Sequence, residues 1–322
     1  MVGRSGKQAI RRWLAEDRLM GYAFIAPTLV VLAVFHGWPI LQTFGMSFFN
    51  WDLLTQERRF TGLENYRLLA GSGEFWLALR NTVYYVLGVV PAQTAAALLL
   101  ALAANQAIRG RAFFRAAFFF PSISSSIVVA LLFTWIFQGG GLADWLLTLL
   151  GLSPPRPAWL SNPSGIFELI AAPLGLRLPE WAVGPSVALM AIMALNVWTT
   201  TGTMMVIFLA GLQDVPRELY EAASVDGASA RQAFRRITLP LLKPVSLFVV
   251  IIGMIGAFQV FDQIWIMTRG QSQTTTLAWL VYAESFGGGF RAGYAAAVAM
   301  VLFAIIFAIT MLQRRLFGQR AW

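Results

Sequence analysis

Residues 218–244 read ELYEAASVDGASARQAFRRITLPLLKP, a polar and charged segment between two long apolar stretches, Val183–Gln213 and Pro244–Thr268. Hydrophobic residues make up 58% of the 322-residue chain and charged residues only 12%, and the mean hydropathy is +0.66. These values lie outside the range of soluble domains. The apolar residues are collected in long blocks rather than in an alternating strand pattern, so the fold class predicted is an all-α membrane protein.

Six apolar blocks are long enough to cross a bilayer, which takes about 20 residues. They are Leu19–Phe44, Thr82–Asn105, Ala116–Phe137, Val183–Gln213, Pro244–Thr268 and Ala292–Gln313. Asp262, near one end of the fifth block, is the only formal charge inside them. A further stretch, Trp145–Leu152, is too short to span and is expected to lie at the membrane interface.

Lysine and arginine are distributed unevenly between the two sides of these spans. Sixteen of the 24 lie in the two termini, the loop between spans two and three, and the whole connection between spans four and five (residues 214–243), and the other connections hold 8. The positive-inside rule therefore predicts that both termini and the 218–244 segment are cytoplasmic. The net charge of +9 is mostly this topological bias, so nucleic-acid binding is not needed to explain it.

The chain is predicted to divide into three parts. Residues 1–18 should form a cytoplasmic amphipathic segment on the membrane lipid, residues 19–316 the six-span domain with its polar loop at 214–243, and residues 317–322 a cytoplasmic tail. The first span lacks a small-residue cleavage site and should be retained. The absence of cysteine excludes disulfides and thiol chemistry.

The sequence contains no recognisable catalytic apparatus. Its two lysines, Lys7 and Lys243, do not lie in a phosphate-binding loop, so nucleotide hydrolysis by this chain is not expected. His36 is the only histidine and has no clustered cysteine or carboxylate, which makes it a poor metal ligand or general base. We therefore predict no catalytic residue, no bound metal and no enzymatic activity.

The polar loop has the local signals of two short helices. Asp214 is a suitable N-cap and Pro216 suits the first turn, so a helix carrying Glu218 and Glu221 should begin there. Asp226-Gly227 has turn chemistry and should end that helix. A second helix is expected over about Ser229–Ile237, with apolar side chains on one face and arginines on another. An ordinary helix-turn-helix lying on the membrane is the alternative interpretation.

The spacing within this loop resembles the signature loop of permease subunits in ATP-binding-cassette (ABC) importers. Glu221-Ala222-Ala223 is followed by three residues, Gly227, nine residues and Ile237-Thr238-Leu239-Pro240. In that family the loop forms coupling helices that dock on a separate ATPase subunit. The resemblance implies that ATP and magnesium are bound by partner chains and no cofactor by this one. The residues it assigns to ATPase coupling are Glu218, Glu221, Ala222, Ala223, Asp226, Gly227, Phe234 and Arg235.

Other motifs are similar to those of binding-protein-dependent sugar permeases of the maltose, multiple-sugar and glycerol-3-phosphate group. They are Phe24–Pro27, Trp38-Pro39, Ser47–Trp51, Phe60–Tyr66, Leu79–Thr82 and Phe258–Asp262. The resemblance implies the type I importer permease fold in a bacterial or archaeal cytoplasmic membrane. It also implies a second homologous permease, two ATPase subunits and an extracytoplasmic solute-binding protein as partners. Thr268–Ser272 departs from the glycine-rich run that the family usually has there.

Polar residues inside spans usually face the bundle interior, and the fourth span has a cluster of them. Their position relative to the Glu-Ala-Ala motif matches the sugar-binding stretch of the maltose system, and so does the middle of the fifth span. The predicted substrate-pathway residues are Asn196, Trp198, Thr200, Thr201, Thr203, Gly253, Gly256, Ala257 and Gln259. Hydroxyls in spans also bond to their own helix, and glycines also serve close packing, so both alternatives stay open. The Ser122–Ser126 group after Pro121 is interpreted as a kinked packing surface.

Three alternatives to sugar import fit the sequence less well. The absence of lysine and arginine from the middle of the spans favours a neutral sugar over glycerol-3-phosphate or another glycerophosphodiester. A secondary transporter would need ionisable residues or broken helices at the midplane, and mid-span carboxylates are absent. A membrane-embedded enzyme would need a nucleophile, base or metal cluster, and none is visible.

Overall fold

The computed structural model describes residues 20–106, 110–179 and 182–318, with side chains described as far as residue 316. The predicted amphipathic segment at residues 1–18 lies outside these ranges. Within them the helices, in chain order, are α1 (Met20–Met46), α2 (Glu64–Gly71), α3 (Gly73–Asn105), α4 (Arg111–Ile123), α5 (Ser126–Ile136), α6 (Leu142–Leu149), α7 (Ile166–Ala171), α8 (Val187–Gln213), α9 (Arg217–Val225), α10 (Ala230–Ala233), α11 (Lys243–Phe258), α12 (Asp262–Met267), α13 (Leu277–Ser285) and α14 (Ala292–Gly318).

Five of the predicted spans are helices long and apolar enough to cross a membrane: α1, α3, α8, α11 continued by α12, and α14. The pair α4 and α5 provides the sixth if it is counted as one span. The prediction of an all-α membrane protein with six spans is therefore confirmed. The predicted six-span domain ends at residue 316, and α14 continues to Gly318.

The third span, predicted over Ala116–Phe137 with a kink after Pro121, is broken into two helices. Its two halves, α4 and α5, meet at an angle of 97°. The backbone leaves the helical conformation at Ser124 (ψ 148°) and Ser125 (ψ 128°). Pro121, three residues earlier, has no N–H to continue the helical hydrogen bonds, which weakens α4 at this end. A span broken near its middle exposes backbone and hydroxyl groups to the interior of the bundle.

The core of the bundle lies around α8. More than half (56%) of the most apolar window of α8 is buried in the chain, compared with none of the corresponding window of α1. Ala97 and Ala101 of α3 lie against Met205 and Phe208 of α8, and small residues on one helix allow this close approach. Gly202 of α8 lies directly against α4, because a Cβ there would be 2.3 Å from the carbonyl oxygen of Phe118.

A hairpin that the sequence analysis did not anticipate follows α1. Its strands, β1 (Phe49–Trp51) and β2 (Arg58–Phe60), are antiparallel, with Phe49 paired to Phe60. Three-residue strands are too short to show an alternating pattern. Asn65 fixes the hairpin by donating its side-chain amide to the carbonyls of Ser47 (2.8 Å) and Phe49 (2.9 Å). Two of the motifs shared with sugar permeases, Ser47–Trp51 and Phe60–Tyr66, are thus two halves of one structure.

A third shared motif, Leu79–Thr82, holds the loop that follows α12. The Asn81 amide donates to the carbonyls of Gln273 and Thr275, both at 2.9 Å, and the Thr82 hydroxyl accepts from the N–H of Leu277. Four residues of this loop have positive φ: Arg269, Gly270, Ser272 and Gln273. Three of them are not glycine, so the loop needs this external support.

The short helix predicted to be interfacial is α6, which begins three residues before the predicted start at Trp145. The Asp144 carboxylate accepts hydrogen bonds from Gly140 N–H and Trp159 Nε1, both at 2.7 Å. Trp145 and Leu149 are exposed on its surface. A position at the membrane interface stays a prediction.

Candidate functional site

A cavity of about 280 Å³ lies where the middle of α8 meets the break between α4 and α5. Uncharged side chains line it, several of them with hydroxyl groups: Pro121, Ser122, Ser124, Ser126, Leu195, Thr199, Thr200, Thr203, Met204 and Gln263. The cavity therefore presents hydroxyl groups on a lining that is mainly apolar in surface and carries no formal charge. Such a surface suits a neutral solute that forms many hydrogen bonds.

The hydroxyls around the cavity are held by hydrogen bonds to the protein. Thr200 Oγ1 lies 2.6 Å from Gln93 Oε1 and 2.7 Å from the carbonyl oxygen of Asn196. Ser122 donates to the carbonyl of Thr199 (2.6 Å) and accepts from the N–H of Thr203 (3.1 Å). These bonds tie α4, α8 and α3 together around the cavity and fix the orientation of its walls.

Two of the predicted pathway residues, Thr200 and Thr203, line this cavity. Asn196 is half-buried one turn before Thr200, and its side chain approaches the buried Tyr85 hydroxyl, which has no hydrogen bond of normal geometry among the described residues. Trp198 is 47% exposed, and its ring packs against that of Phe133. The Thr201 hydroxyl is buried and donates to the carbonyl one turn earlier in its own helix.

The predicted residues of the fifth span do not line the cavity. Gly253 and Ala257 are buried in helix packing. Gly253 serves close packing, since a Cβ there would lie 2.3 Å from Gln93 Nε2, whereas a Cβ at Gly256 would meet nothing within 4 Å. Gln259 lines a different, mostly apolar groove of about 460 Å³ against α13 and α14.

The sequence analysis did not assign the serines at the break, Gln263 or Gln93 to a site. The Ser122–Ser126 group was expected to be a kinked packing surface; the kink is present, and three of its serines also line the cavity. Ser126 Oγ is buried without a hydrogen-bond partner among the described residues. The sequence signal that could have identified Gln93 and Gln263 was the presence of a side-chain amide within an otherwise apolar span.

The polar loop forms two short helices, as predicted, but the residue that caps the first helix is not the predicted one. Asp214 was expected to be the N-cap of the first helix, but it is the C-cap of α8, because α8 continues without interruption to Gln213. The first helix, α9, instead has Pro216 at its N-cap. The second begins at α10 behind a capping box formed by Ser229 and Gln232, and continues through a π-helical turn at Phe234–Thr238 and a short segment at Leu239–Leu241.

Gly227 allows the sharp turn between the two loop helices. Its φ is +75°, and the N–H groups of Gly227 and Ala228 bond to the carbonyls of Ser224 and Ala223, which is a Schellman C-cap. The hydroxyls of Tyr220 and Thr238 lie 2.8 Å apart and join the helices. Because Thr238 is buried, this contact fixes the two helices to the body of the chain as well as to each other.

Most of the predicted coupling residues lie on the surface of the loop. Glu218, Glu221, Ala222, Asp226, Gly227 and Arg235 are exposed, whereas Ala223 and Phe234 are half-buried. Val225, at the end of α9, is 89% exposed. A concavity of about 330 Å³ lies between the helices and includes Asp226, Gln232 and Arg236 in its lining. An exposed apolar residue beside charged ones suits a protein contact.

Across residues 20–106, 110–179 and 182–318, no group of three or more histidine or acidic side chains is placed to hold a metal ion. The fold and the sites thus define a class: a multi-pass helical membrane protein with an uncharged, hydroxyl-bearing cavity inside the bundle and an exposed two-helix loop at the end of one span.

Comparison with known proteins gives the family. Residues 93–321 match the family described as "Binding-protein-dependent transport system inner membrane component". The trehalose/maltose transport system permease protein MalF of Thermococcus litoralis is 34% identical over 270 residues, which are 83% of each chain. The chain belongs to this family, among the sugar permeases of ABC importers.

Other relatives agree with this assignment. The multiple sugar-binding transport system permease protein MsmF of Streptococcus mutans is 32% identical over 84% of this chain and 86% of its own. A bacterial ABC transporter involved in the import of the acidic polysaccharide alginate shares the fold, with a TM-score of 0.74 at 21% identity over 99% of this chain and 100% of its own. A second structure of the alginate transporter, with a TM-score of 0.72, contains a pentasaccharide-bound periplasmic protein.

Proposed function

We propose that this chain is a permease subunit that imports a sugar or a sugar-like solute, using ATP hydrolysed by separate subunits. One observation carries the proposal: α8 holds the cavity wall at its middle, and its C-terminal end leads directly into the two-helix loop. A displacement of the loop would therefore be transmitted along a single rigid helix to Thr199, Thr200 and Thr203. Such a link is required if an event outside the membrane is to change access to a site within it.

The loop is the proposed docking site for the ATPase. The exposed carboxylates of Glu218 and Glu221, the exposed Val225 and the concavity beside Asp226 offer a mixed polar and apolar surface. Two ATPase subunits, one on each permease, would bind ATP and magnesium, and this chain would bind neither. The loop and both termini would then lie in the cytoplasm of a bacterium or archaeon, as the positive-inside bias predicts.

A second homologous permease is the proposed neighbour of α1. None of the most apolar window of this helix is buried in its own chain, whereas the other continuous spans bury 28–56% of theirs. An extracytoplasmic binding protein would deliver the solute, in keeping with the periplasmic protein bound to the alginate transporter. The uncharged cavity lining favours a neutral sugar as the solute, because an anion would require lysine or arginine there.

The test is ATP-driven uptake by the complete importer reconstituted in proteoliposomes. Glu221→Ala and Gly227→Pro should leave the chain in the membrane but abolish uptake, because the first removes an exposed loop carboxylate and the second cannot adopt a φ of +75°. Ser224→Ala, on an exposed position of the same helix, is the matched control and should transport normally. Wild-type uptake by both altered importers would contradict the proposal.

A further inference from the structure

We propose that Gln93 is a positioning residue of the cavity, which turns the Thr200 hydroxyl so that its lone pairs face the bound solute. The inference rests on the proposed sugar-import function and deepens it. It also predicts the kind of hydrogen-bonding group that this side of the cavity selects.

Gln93 occupies an unusual position for an amide. It lies near the middle of the apolar helix α3 and is only 1% exposed. Its Oε1 accepts from Thr200 of α8, and its Nε2 lies against Gly253 of α11, where a Cβ would come within 2.3 Å. Burying an amide inside a membrane is costly unless its polar groups are used. The glycine makes room for this amide between three spans, at the back of the cavity wall.

The geometry leaves Thr200 no proton for the cavity. A threonine hydroxyl has one proton, and both oxygens within bonding distance of it, Gln93 Oε1 at 2.6 Å and the Asn196 carbonyl at 2.7 Å, belong to the protein. Thr200 therefore offers only lone pairs to a solute. A carbonyl from its own helix is available to every threonine in a helix, whereas the Gln93 contact links the hydroxyl to another span.

Three neighbouring hydroxyls are oriented in the same way. Ser122 donates to the carbonyl of Thr199 (2.6 Å), Ser124 to that of Phe120 (3.2 Å) and Thr199 to that of Asn196 (3.0 Å). Because each proton is already donated to the protein, these oxygens can only accept from a solute. The matching ligand donates hydrogen bonds, as the hydroxyls of a neutral sugar or polyol do. A phosphate or carboxylate oxygen, which accepts hydrogen bonds, finds no free donor on these four hydroxyls and would depend on the other polar groups of the lining, Ser126, Thr203 and Gln263.

A double-mutant cycle tests the role of Gln93. Gln93→Met keeps the side-chain length and removes the acceptor, and Thr200→Val keeps the shape and removes the hydroxyl. The complete importer in proteoliposomes is offered radiolabelled maltose, trehalose and lactose, and the sugar that the wild type takes up fastest is the probe. Thr200→Val should raise the KM of uptake about fivefold, the value of one hydrogen bond, with little effect on the maximal rate. Gln93→Met should raise the KM in the same direction by up to that factor, since the Asn196 carbonyl still accepts from Thr200. The double variant should show no further rise.

A residue that only supports packing would behave differently. Additive effects of the two changes on KM, or a fall in maximal rate at unchanged KM, would overturn the inference. If Gln93→Met fails to reach the membrane, Thr200→Val alone still decides, since an unchanged KM in that variant would also overturn it. If none of the three sugars is taken up, the panel is widened to other labelled mono- and oligosaccharides, and an importer that takes up no sugar at all but hydrolyses ATP would contradict the proposed sugar import and the inference with it.

Discussion

Gly253→Ala should destabilise the bundle even though alanine is the better helix former. The added methyl would lie 2.3 Å from Gln93 Nε2, so the amide must move. Alanine in a helix gains up to about 1 kcal/mol over glycine. Forcing a methyl into a packed interior costs about 1–3 kcal/mol, and loss of the Gln93–Thr200 hydrogen bond costs about 1 kcal/mol. The expected net destabilisation is about 1–3 kcal/mol.

Gly256→Ala is the matched control for this change. It lies one turn further along the same helix, and nothing is within 4 Å of the position that its Cβ would take. It should be as stable as the wild type or slightly more stable, because only the helix preference acts. Thermal unfolding of the purified, detergent-solubilised chain, followed by tryptophan fluorescence, gives the order of the three proteins. If Gly253→Ala unfolds at or above the temperature of Gly256→Ala, the packing argument at Gln93 is wrong.

Three further changes test other parts of the structure. Asn81→Ala removes both side-chain hydrogen bonds to the loop at 268–276, so that loop should become sensitive to added protease while the spans stay protected. Gly202→Val should prevent α4 from reaching α8 and lower the amount of folded chain recovered from membranes, whereas the wild-type amount would refute the contact. Arg291→Gln leaves the buried Glu284 carboxylate without its bidentate partner and should lower the unfolding temperature. The hydrogen bonds that Arg291 donates to Glu284 raise the pKa of Arg291 above its usual value. Because a raised pKa keeps the guanidinium charged in the folded chain, this pair's contribution on the arginine side should be lost only as the pH rises through that raised pKa.

Much of the architecture was predictable because the bilayer imposes a simple rule on composition. Each continuous span is recognisable in the sequence as about 20 or more apolar residues. The two loop helices are predicted from turn and capping residues such as Gly227 and Ser229. The prediction that Asp214 caps the start of the first loop helix was wrong, because a residue type suited to an N-cap can also follow the end of a helix. Only the length of α8 decides between the two, and apolar periodicity does not locate helix ends within a turn.

The cavity was harder to predict, because it depends on contacts between distant segments. The fourth-span threonines indicated the right region, yet which of them face the cavity depends on the break at Ser124. A sequence window around Pro121 predicts a kink but not its angle. Gln93 is separated from Thr200 by more than a hundred residues, so their hydrogen bond has no local signal. The fifth-span residues were predicted from their distance in sequence to the loop motif. That distance does not specify which side of a helix faces the substrate pathway.

The hairpin after α1 also constrains the order in which the chain can mature. The carbonyl of Phe49 in the hairpin lies directly against Gly293, at the start of the last span. The backbone of Asp52 forms an isolated antiparallel β-bridge with that of Arg291. About 240 residues separate these partners in the sequence. A ribosome that adds 5–20 residues per second needs roughly 10–50 s to synthesise that length of chain. During that interval the hairpin is outside the membrane without its docking surface. The hairpin is therefore synthesised early but is among the last parts of the chain to reach its final contacts, and termination before the sixth span would leave it permanently without them.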